Sequence, residues 1–316
     1  INSKRRMLFK EIVILLILLL SDFKTITQGS DKNMLYERAG YEFPYQLNKP
    51  DTSWELPQKL KEISGMSFID SYRLACIQDE KGNIYIFNLK TGEIEKKIKF
   101  GGDGDYEGIE IVGNNAWVLK SNGILFKVKD YLGKSDPVVK KYATALSSKN
   151  DAEGLTFDPL NNKLLIACKG HPFDDDKEGK EYKAICSFDF SSKQIDLKPF
   201  LLIEMDTLKF YKNYNSISQI GIELLAYFDS SKGDVSFQPS GIAIHPKTGN
   251  IFVLAAVGNL LTVFSRGGEM LAIIELKSKY HPQPEGICFS TDGTLYISNE
   301  GDKFEKGTIL RFKDKR

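Results

Sequence analysis

The chain has 316 residues, of which 41% are hydrophobic and 11% aromatic, and this composition excludes an intrinsically disordered protein. Its 43 Lys and Arg residues balance 42 Asp and Glu residues, leaving a formal net charge of +1. Because no basic stripe interrupts this balance, the sequence has no electrostatic footprint for nucleic acid. The length suits one large all-β domain preceded by a short leader.

The N-terminal segment has the pattern of an export signal. Basic residues 4–6 precede an apolar run from Ile12 to Leu20, which is shorter than the ~20 residues that span a bilayer. We therefore expect residues 1–30 to be a signal peptide or an N-terminal membrane anchor, and the only part of the chain in contact with a membrane. The protein is expected outside the cytoplasm, in the periplasm or cell envelope, secreted or anchored through this segment.

Residues 31–51 show no strong pattern and are predicted to be an extension on the surface of the domain that follows. A short phrase then occurs five times, in which a glycine is preceded by glutamate or serine and followed by alternating apolar residues. The glycines are spaced 43, 46, 87 and 45 residues apart. They are Gly65, Gly108, Gly154, Gly241 and Gly286. A period of this length, made of short strand-like runs, is typical of β-propeller blades.

Each period contains four short amphipathic runs separated by turn signals such as Asp292-Gly293. The last period ends after its third run, at Phe312. We predict that a strand within residues 54–62 supplies the missing fourth strand, since closing the ring removes two exposed sheet edges. The predicted fold is an all-β, five-bladed β-propeller over residues 52–316, closed by an N-terminal strand.

The 87-residue interval equals two periods and leaves the number of blades open. Residues 205–228 contain no glycine phrase, and their apolar pattern is partly helical. We therefore favour five blades with an insertion near residues 204–236. A six-bladed propeller is the alternative.

Three of the five phrases carry a glutamate before the glycine, at Glu107, Glu153 and Glu285. Equivalent positions in a propeller converge on its axis, so these carboxylates are predicted to face one another. Carboxylates gathered in this way need a cation, protons or a basic partner to offset their repulsion. Calcium prefers such oxygen ligands, and the same mouth offers further oxygens from Glu300, Asp105 and Asn299.

The alternative is that the glutamates form salt bridges between blades, with Lys120 and Lys169 at the ends of second strands as their partners. These two lysines, together with His171 and Ser240, are also candidates for contacting a ligand at the mouth of the channel.

Recognisable catalytic motifs are absent from the sequence. His171 is the one plausible general base, whereas His245 and His281 precede prolines and are predicted to lie in surface turns. The four cysteines lack metal-binding spacing and are predicted to be buried. A bridge between Cys168 and Cys186 is the alternative for that pair, because the two residues flank one loop.

The repeated Glu-Gly phrases, the N-terminal leader and the run from Leu295 to Asp302 resemble the SdiA-regulated family of bacterial propellers. The resemblance covers roughly residues 52–316. It implies a five-bladed propeller outside the cytoplasm, with a calcium ion at one mouth of its channel. The insertion before Ser240 departs from the family pattern.

These observations predict a monomeric, calcium-containing propeller that binds a small ligand or a protein partner at its channel mouth. The alternative is a calcium-dependent hydrolase resembling the phytase-like or lactonase propellers, in which the metal polarises a phosphoester or lactone oxygen. A hydrolase needs an open metal position and either a nearby base or a metal-bound water, whereas a binding module needs neither.

Overall fold

The computed structural model describes residues 33–170, 181–212 and 237–316. These residues form five antiparallel sheets, which are the blades of one ring. The all-β, five-bladed propeller predicted from the repeat is confirmed.

Two short strands precede the ring, β1 (Met34–Glu37) and β2 (Thr52–Glu55), and a 3-10 turn follows at Gln58–Leu60. Blade 1 consists of β3 (Ile63–Asp70), β4 (Arg73–Gln78), β5 (Lys81–Asn88) and β6 (Glu93–Asp103). Blade 2 consists of β7 (Tyr106–Val112), β8 (Asn115–Lys120), β9 (Leu125–Lys129) and β10 (Val138–Tyr142).

Blade 3 consists of β11 (Ala152–Asp158), β12 (Lys163–Cys168), β13 (Tyr182–Asp189), β14 (Gln194–Ile195) and β15 (Leu201–Glu204), and helix α1 (Met205–Lys212) follows it. Blade 4 consists of β16 (Gln238–Ile244), β17 (Ile251–Val257), β18 (Leu260–Phe264) and β19 (Met270–Glu275). Blade 5 consists of β20 (Pro284–Phe289), β21 (Leu295–Asn299) and β22 (Thr308–Phe312).

The N-terminal strand closes the ring, as predicted. Strand β2 pairs antiparallel with β22 and becomes the outer strand of blade 5. The Trp54 indole then donates a hydrogen bond of 3.0 Å to the backbone oxygen of Leu89 in blade 1. The strand begins and ends earlier than residues 54–62, because Pro57 cannot donate to a sheet ladder and the chain turns at residues 58–60.

A second N-terminal strand lies within the segment predicted as an extension. Strand β1 pairs with β19 and adds a fifth strand to blade 4. Farther along, Tyr45 and Leu47 are buried in the core between blades 4 and 5. Residues 33–51 therefore cover an outer edge of the ring, which removes unpaired backbone groups from solvent.

The phrase glycines bring the inner strands into close contact around the axis. A Cβ atom on each of them would crowd the backbone of the next blade, since the position it would occupy lies 2.7–3.3 Å from that backbone. Gly154 of blade 3 lies directly against Gly241 and Ile242 of blade 4. Blades 3 and 4 are therefore neighbours, and the long interval holds no sixth blade. Helix α1 lies in the predicted insertion, and residues 213–236 lie outside the described residues.

One half-buried carboxyl group joins three blades at the inner strands. Glu110 of blade 2 accepts a hydrogen bond of 3.1 Å from the Ser67 hydroxyl of blade 1 and another from the backbone N–H of Phe157 in blade 3. Desolvation outweighs these bonds and raises the pKa of Glu110 from its ordinary 4.5 to about 8.

This group predicts a pH dependence of stability. Between pH 4.5 and 8 the folded state retains a proton on Glu110 that the unfolded state releases, so the free energy of unfolding falls as pH rises, by at most about 1.4 kcal/mol per pH unit. Above pH 8 this contribution levels off. We expect Glu110→Gln to remove this contribution to the slope, so that its melting temperature relative to the wild type increases from pH 5 to pH 9. Parallel melting curves at all pH values would contradict the assignment.

All four cysteines are free and buried, as predicted. Cys168 and Cys186 lie on adjacent strands of blade 3, and their thiols are hydrogen-bonded to each other. No helix in the described ranges is long and apolar enough to cross a membrane. The predicted leader, residues 1–30, lies outside those ranges.

Candidate functional site

A cavity of about 320 Å³ opens at one mouth of the central channel. Below it, where the five inner strands meet at the phrase glycines, the free volume shrinks to about 10 Å³, roughly the space of one water molecule. The cavity is therefore a pocket with one entrance. The described residues that line it are Glu62, Ile63, Ser64, Asp79, Glu107, Glu153, Lys169, Gln238, Pro239, Ser240, Ala256, Val257, Pro282, Gln283, Glu285 and Glu300.

A β-bulge turns the residue before each phrase glycine toward this mouth. In blade 2, Tyr106 pairs with Lys120 and Gly108 pairs with Leu119, so that Glu107 has no partner across the ladder. A register shift occurs at the start of the inner strand in every blade, and in blade 5 it extends from Pro284 to Ile287. Bulges re-aim side chains in this way, which explains why glutamate or serine recurs before the glycine.

Serine at the bulge has a structural role. The Ser64 hydroxyl donates a hydrogen bond of 2.6 Å to the backbone oxygen of Tyr106, and the Ser240 hydroxyl donates one of 2.8 Å to that of Pro284. Each bond joins one blade to the next. The two serine positions therefore stabilise the ring, whereas the three glutamate positions present charge to the cavity.

One glutamate of the cavity is paired with a lysine. Lys169 lies 2.9 Å from the carboxylate of Glu153 and 3.7 Å from that of Asp151. Glu153 is only 6% exposed, and its burial raises its pKa despite the nearby ammonium group. A salt bridge thus forms at Glu153, but within blade 3 and not between blades as the sequence alternative had it.

The other carboxyl groups repel one another. Burial, followed by the negative charge of Glu153, raises the pKa of Glu107 to about 10 and that of Glu285 to about 8. Burial and the charges of Asp79 and Glu62 also raise the pKa of Glu300. Six carboxyl groups line the described cavity against the single ammonium group of Lys169. The pocket thus gathers six acidic groups, of which Glu107 and Glu285 retain their protons at neutral pH while no cation is bound.

The structure brings six of the predicted site residues into this lining: Glu107, Glu153, Glu285, Glu300, Lys169 and Ser240. Asp105 is exposed and outside the lining, and it is hydrogen-bonded to the Glu107 carboxyl. Asn299 is buried beside Glu300 and donates a hydrogen bond of 3.1 Å to Thr308. Lys120 instead lies over the ring of Tyr106, 5.4 Å from its centroid. His171 lies outside the described residues.

Two acidic residues of the lining were missed from the sequence. Asp79 follows the second strand of blade 1, just as Glu300 follows that of blade 5, so the same positional argument could have found it. Glu62 immediately precedes β3, and no phrase marks it. The uncharged contribution of blade 4 was also not anticipated.

The carboxyl groups are spread around the mouth and do not converge on one point. In the described ranges, no three His, Cys, Asp or Glu side chains lie close enough together to hold a metal ion. Calcium requires roughly six to eight oxygen ligands at about 2.3–2.6 Å. The donor set as placed therefore does not fit a calcium ion.

The surface-turn prediction for two histidines is wrong, since His245 and His281 are each 1% exposed. His245 does belong to a turn, because its Nδ1 accepts hydrogen bonds from the backbone of Lys247 and Thr248, but aromatic rings from distant segments cover it. His281 donates a hydrogen bond of 2.9 Å from Nε2 to the backbone oxygen of Leu47. Both histidines lie outside the cavity lining.

Fold and site together define a five-bladed β-propeller with an acidic pocket at one mouth of its channel. The sequence profile of the SdiA-regulated family matches residues 45–175 and 196–306. The chain belongs to the SdiA-regulated family, as its sequence resemblance implied. No curated protein matches the sequence significantly.

Several solved structures are similar to this chain at low identity. The glutaminyl cyclase of Myxococcus xanthus is 10% identical with a TM-score of 0.54, over 84% of this chain and 95% of that one. A streptogramin B lyase is 11% identical with a TM-score of 0.47, over 83% and 97%. A virginiamycin B lyase from Staphylococcus aureus is 13% identical with a TM-score of 0.42, over 83% and 73%. At these identities the likeness concerns the fold alone.

Proposed function

We propose that this protein is a ligand-binding module that takes a positively charged ligand in the acidic pocket of its channel. The observation that carries the proposal is the acidic composition of the lining, where six carboxyl groups face one lysine that is already paired. A bound cation favours the ionised forms of Glu107 and Glu285, whose pKa values are raised first by burial and then by the charge of Glu153. The glycine constriction closes the pocket below, so the ligand enters from one side.

We also propose that the protein acts outside the cytoplasm, in the periplasm or cell envelope, as a monomer. The basic residues and apolar run within residues 1–30 support the location. The monomeric state stays a prediction from the sequence.

Calcium is the inorganic ligand that the sequence predicts, and we retain it as a proposal to be tested. Glu107, Glu153, Glu285 and Glu300 are the candidate ligands, and they need to move toward a common point to bind one ion. The hydrolase alternative gains no support from the described lining, which offers carboxyl groups but no histidine or cysteine.

Charge-neutralising variants test cation binding directly. Calcium chloride and n-butylammonium chloride serve as probes, and the melting temperature of the full chain is measured as each concentration rises. A ligand that binds the folded state stabilises it by RT ln(1 + [L]/Kd). We expect at least one probe to raise the melting temperature of the wild type, and the double variant Glu107→Gln, Glu285→Gln to abolish that shift.

The matched control is the double variant Glu93→Gln, Glu275→Gln, which removes the same charge at exposed positions of β6 and β19. It should respond to the probe as the wild type does. If neither probe stabilises the wild type, or if both double variants lose the response equally, the pocket is not a cation site.

A further inference from the structure

We propose that the ligand of the acidic pocket is a small organic cation, an ammonium compound with an apolar body. Its charge would lie among the carboxyl groups and its hydrocarbon part against blade 4. This inference rests on the proposed function and names the class of ligand for that site.

The first supporting observation is that the pocket has two chemically different walls. Blades 1, 2, 3 and 5, with the segment leading into blade 1, contribute all six carboxyl groups of the described lining. Blade 4 contributes no charge at all. Its part of the wall consists of Gln238, Pro239, Ser240, Ala256 and Val257.

The neutral wall is apolar where it meets the solvent. Val257 is 44% exposed at the end of β17, next to Ala256, and Pro239 faces the same pocket. This apolar surface is in contact with water at the entrance of the cavity, and a ligand that covers it gains binding energy. A bare metal ion gains no binding energy from contact with these apolar side chains, whereas a hydrocarbon group does.

The volume of the cavity and the separation of its carboxyl groups also favour an organic cation. A volume of about 320 Å³ lies within the roughly 300–1,000 Å³ typical of small-molecule pockets. No three acidic groups in the described ranges converge as metal ligands must. An ammonium group does not need that convergence, because it donates hydrogen bonds in separate directions and is also attracted by carboxylates that it does not touch.

The test compares two monovalent ammonium probes that differ in apolar size, with calcium as the bare metal ion. Calcium chloride, methylammonium chloride and n-butylammonium chloride are each titrated into the full chain in a calorimeter. Each methylene group that becomes fully buried strengthens binding about fourfold. We therefore expect n-butylammonium to bind at least about tenfold more tightly than methylammonium.

A variant of the neutral wall shows where the apolar part lies. Val257→Ser should weaken n-butylammonium binding by about threefold and leave methylammonium binding unchanged. Val138→Ser is the matched control, because Val138 is also an exposed valine, 65% accessible, but lies on β10 of blade 2. It should change neither affinity.

The outcomes separate this inference from the proposed function. Equal binding of the two ammonium probes, or no effect of Val257→Ser, would overturn the assignment of an apolar body on blade 4. Binding of calcium alone would also overturn it, while leaving the pocket a cation site. If no probe binds, the proposed function fails together with it.

Discussion

Replacing Gly154 by alanine is expected to destabilise the propeller strongly, because the added methyl group would lie where the inner strands of two blades meet. The new Cβ atom would lie 2.7 Å from the backbone nitrogen of Ile242 and 2.9 Å from the Cα atom of Gly241. Both atoms belong to the backbone of blade 4, so no side chain can rotate to make room. Overpacking costs typically 1–3 kcal/mol where side chains can adjust, and we expect about 3 kcal/mol or more here.

Urea-induced unfolding of the purified variant measures this loss. Gly102→Ala is the control, since a Cβ atom there meets nothing within 4 Å and should change stability by less than about 0.5 kcal/mol. If Gly154→Ala unfolds at the same urea concentration as Gly102→Ala, the claim that the backbones of blades 3 and 4 are in close contact at Gly154 is refuted.

Removing the closing strand is expected to have a still larger effect. A chain that begins at residue 63 lacks β2, whose ladder completes blade 5. It also lacks Leu56 and Leu60, which are 1% and 0% exposed in the core beneath blades 1 and 5. Losing even one buried leucine side chain costs about 2–5 kcal/mol, against a total stability of roughly 5–15 kcal/mol. The truncated chain should fail to fold cooperatively.

The control for this truncation is a chain that begins at residue 33, which keeps every described strand. It should give one sharp thermal transition, while the shorter chain gives a broad one or precipitates. A cooperative transition at the same temperature in both chains would refute the role of β2 in closing the ring.

Much of the fold could be predicted because the repeated glycine is required for steric reasons. A glycine is needed wherever two inner strands meet at the axis, so its spacing reveals the blades. Strand β1 escaped notice because four residues at an edge carry little periodic signal, and its partner β19 is distant in sequence. The burial of His245 was missed for a related reason. Its local turn was visible, but the rings of Tyr45 and Phe289 that cover it come from other blades and segments.

The acidic character of the pocket could be predicted because equivalent bulges aim Glu107, Glu153 and Glu285 at one mouth. Whether their carboxyl groups converge depends on side-chain directions and on the width of the ring, which no spacing reveals. The neutral wall could not be predicted from the sequence either. Only the structure shows that Val257, at the end of β17, lines the same cavity as the acidic residues of the other blades.

The most direct test of the cation pocket is anomalous diffraction from crystals grown with 4-bromobenzylammonium, a cation whose apolar body carries a heavy atom. We predict a bromine peak inside the cavity beside Val257, with the ammonium group among the carboxyl groups of Glu107, Glu285 and Glu300. A structure in which the compound binds elsewhere on the propeller, or in which the cavity holds only water at saturating concentration, would contradict the account.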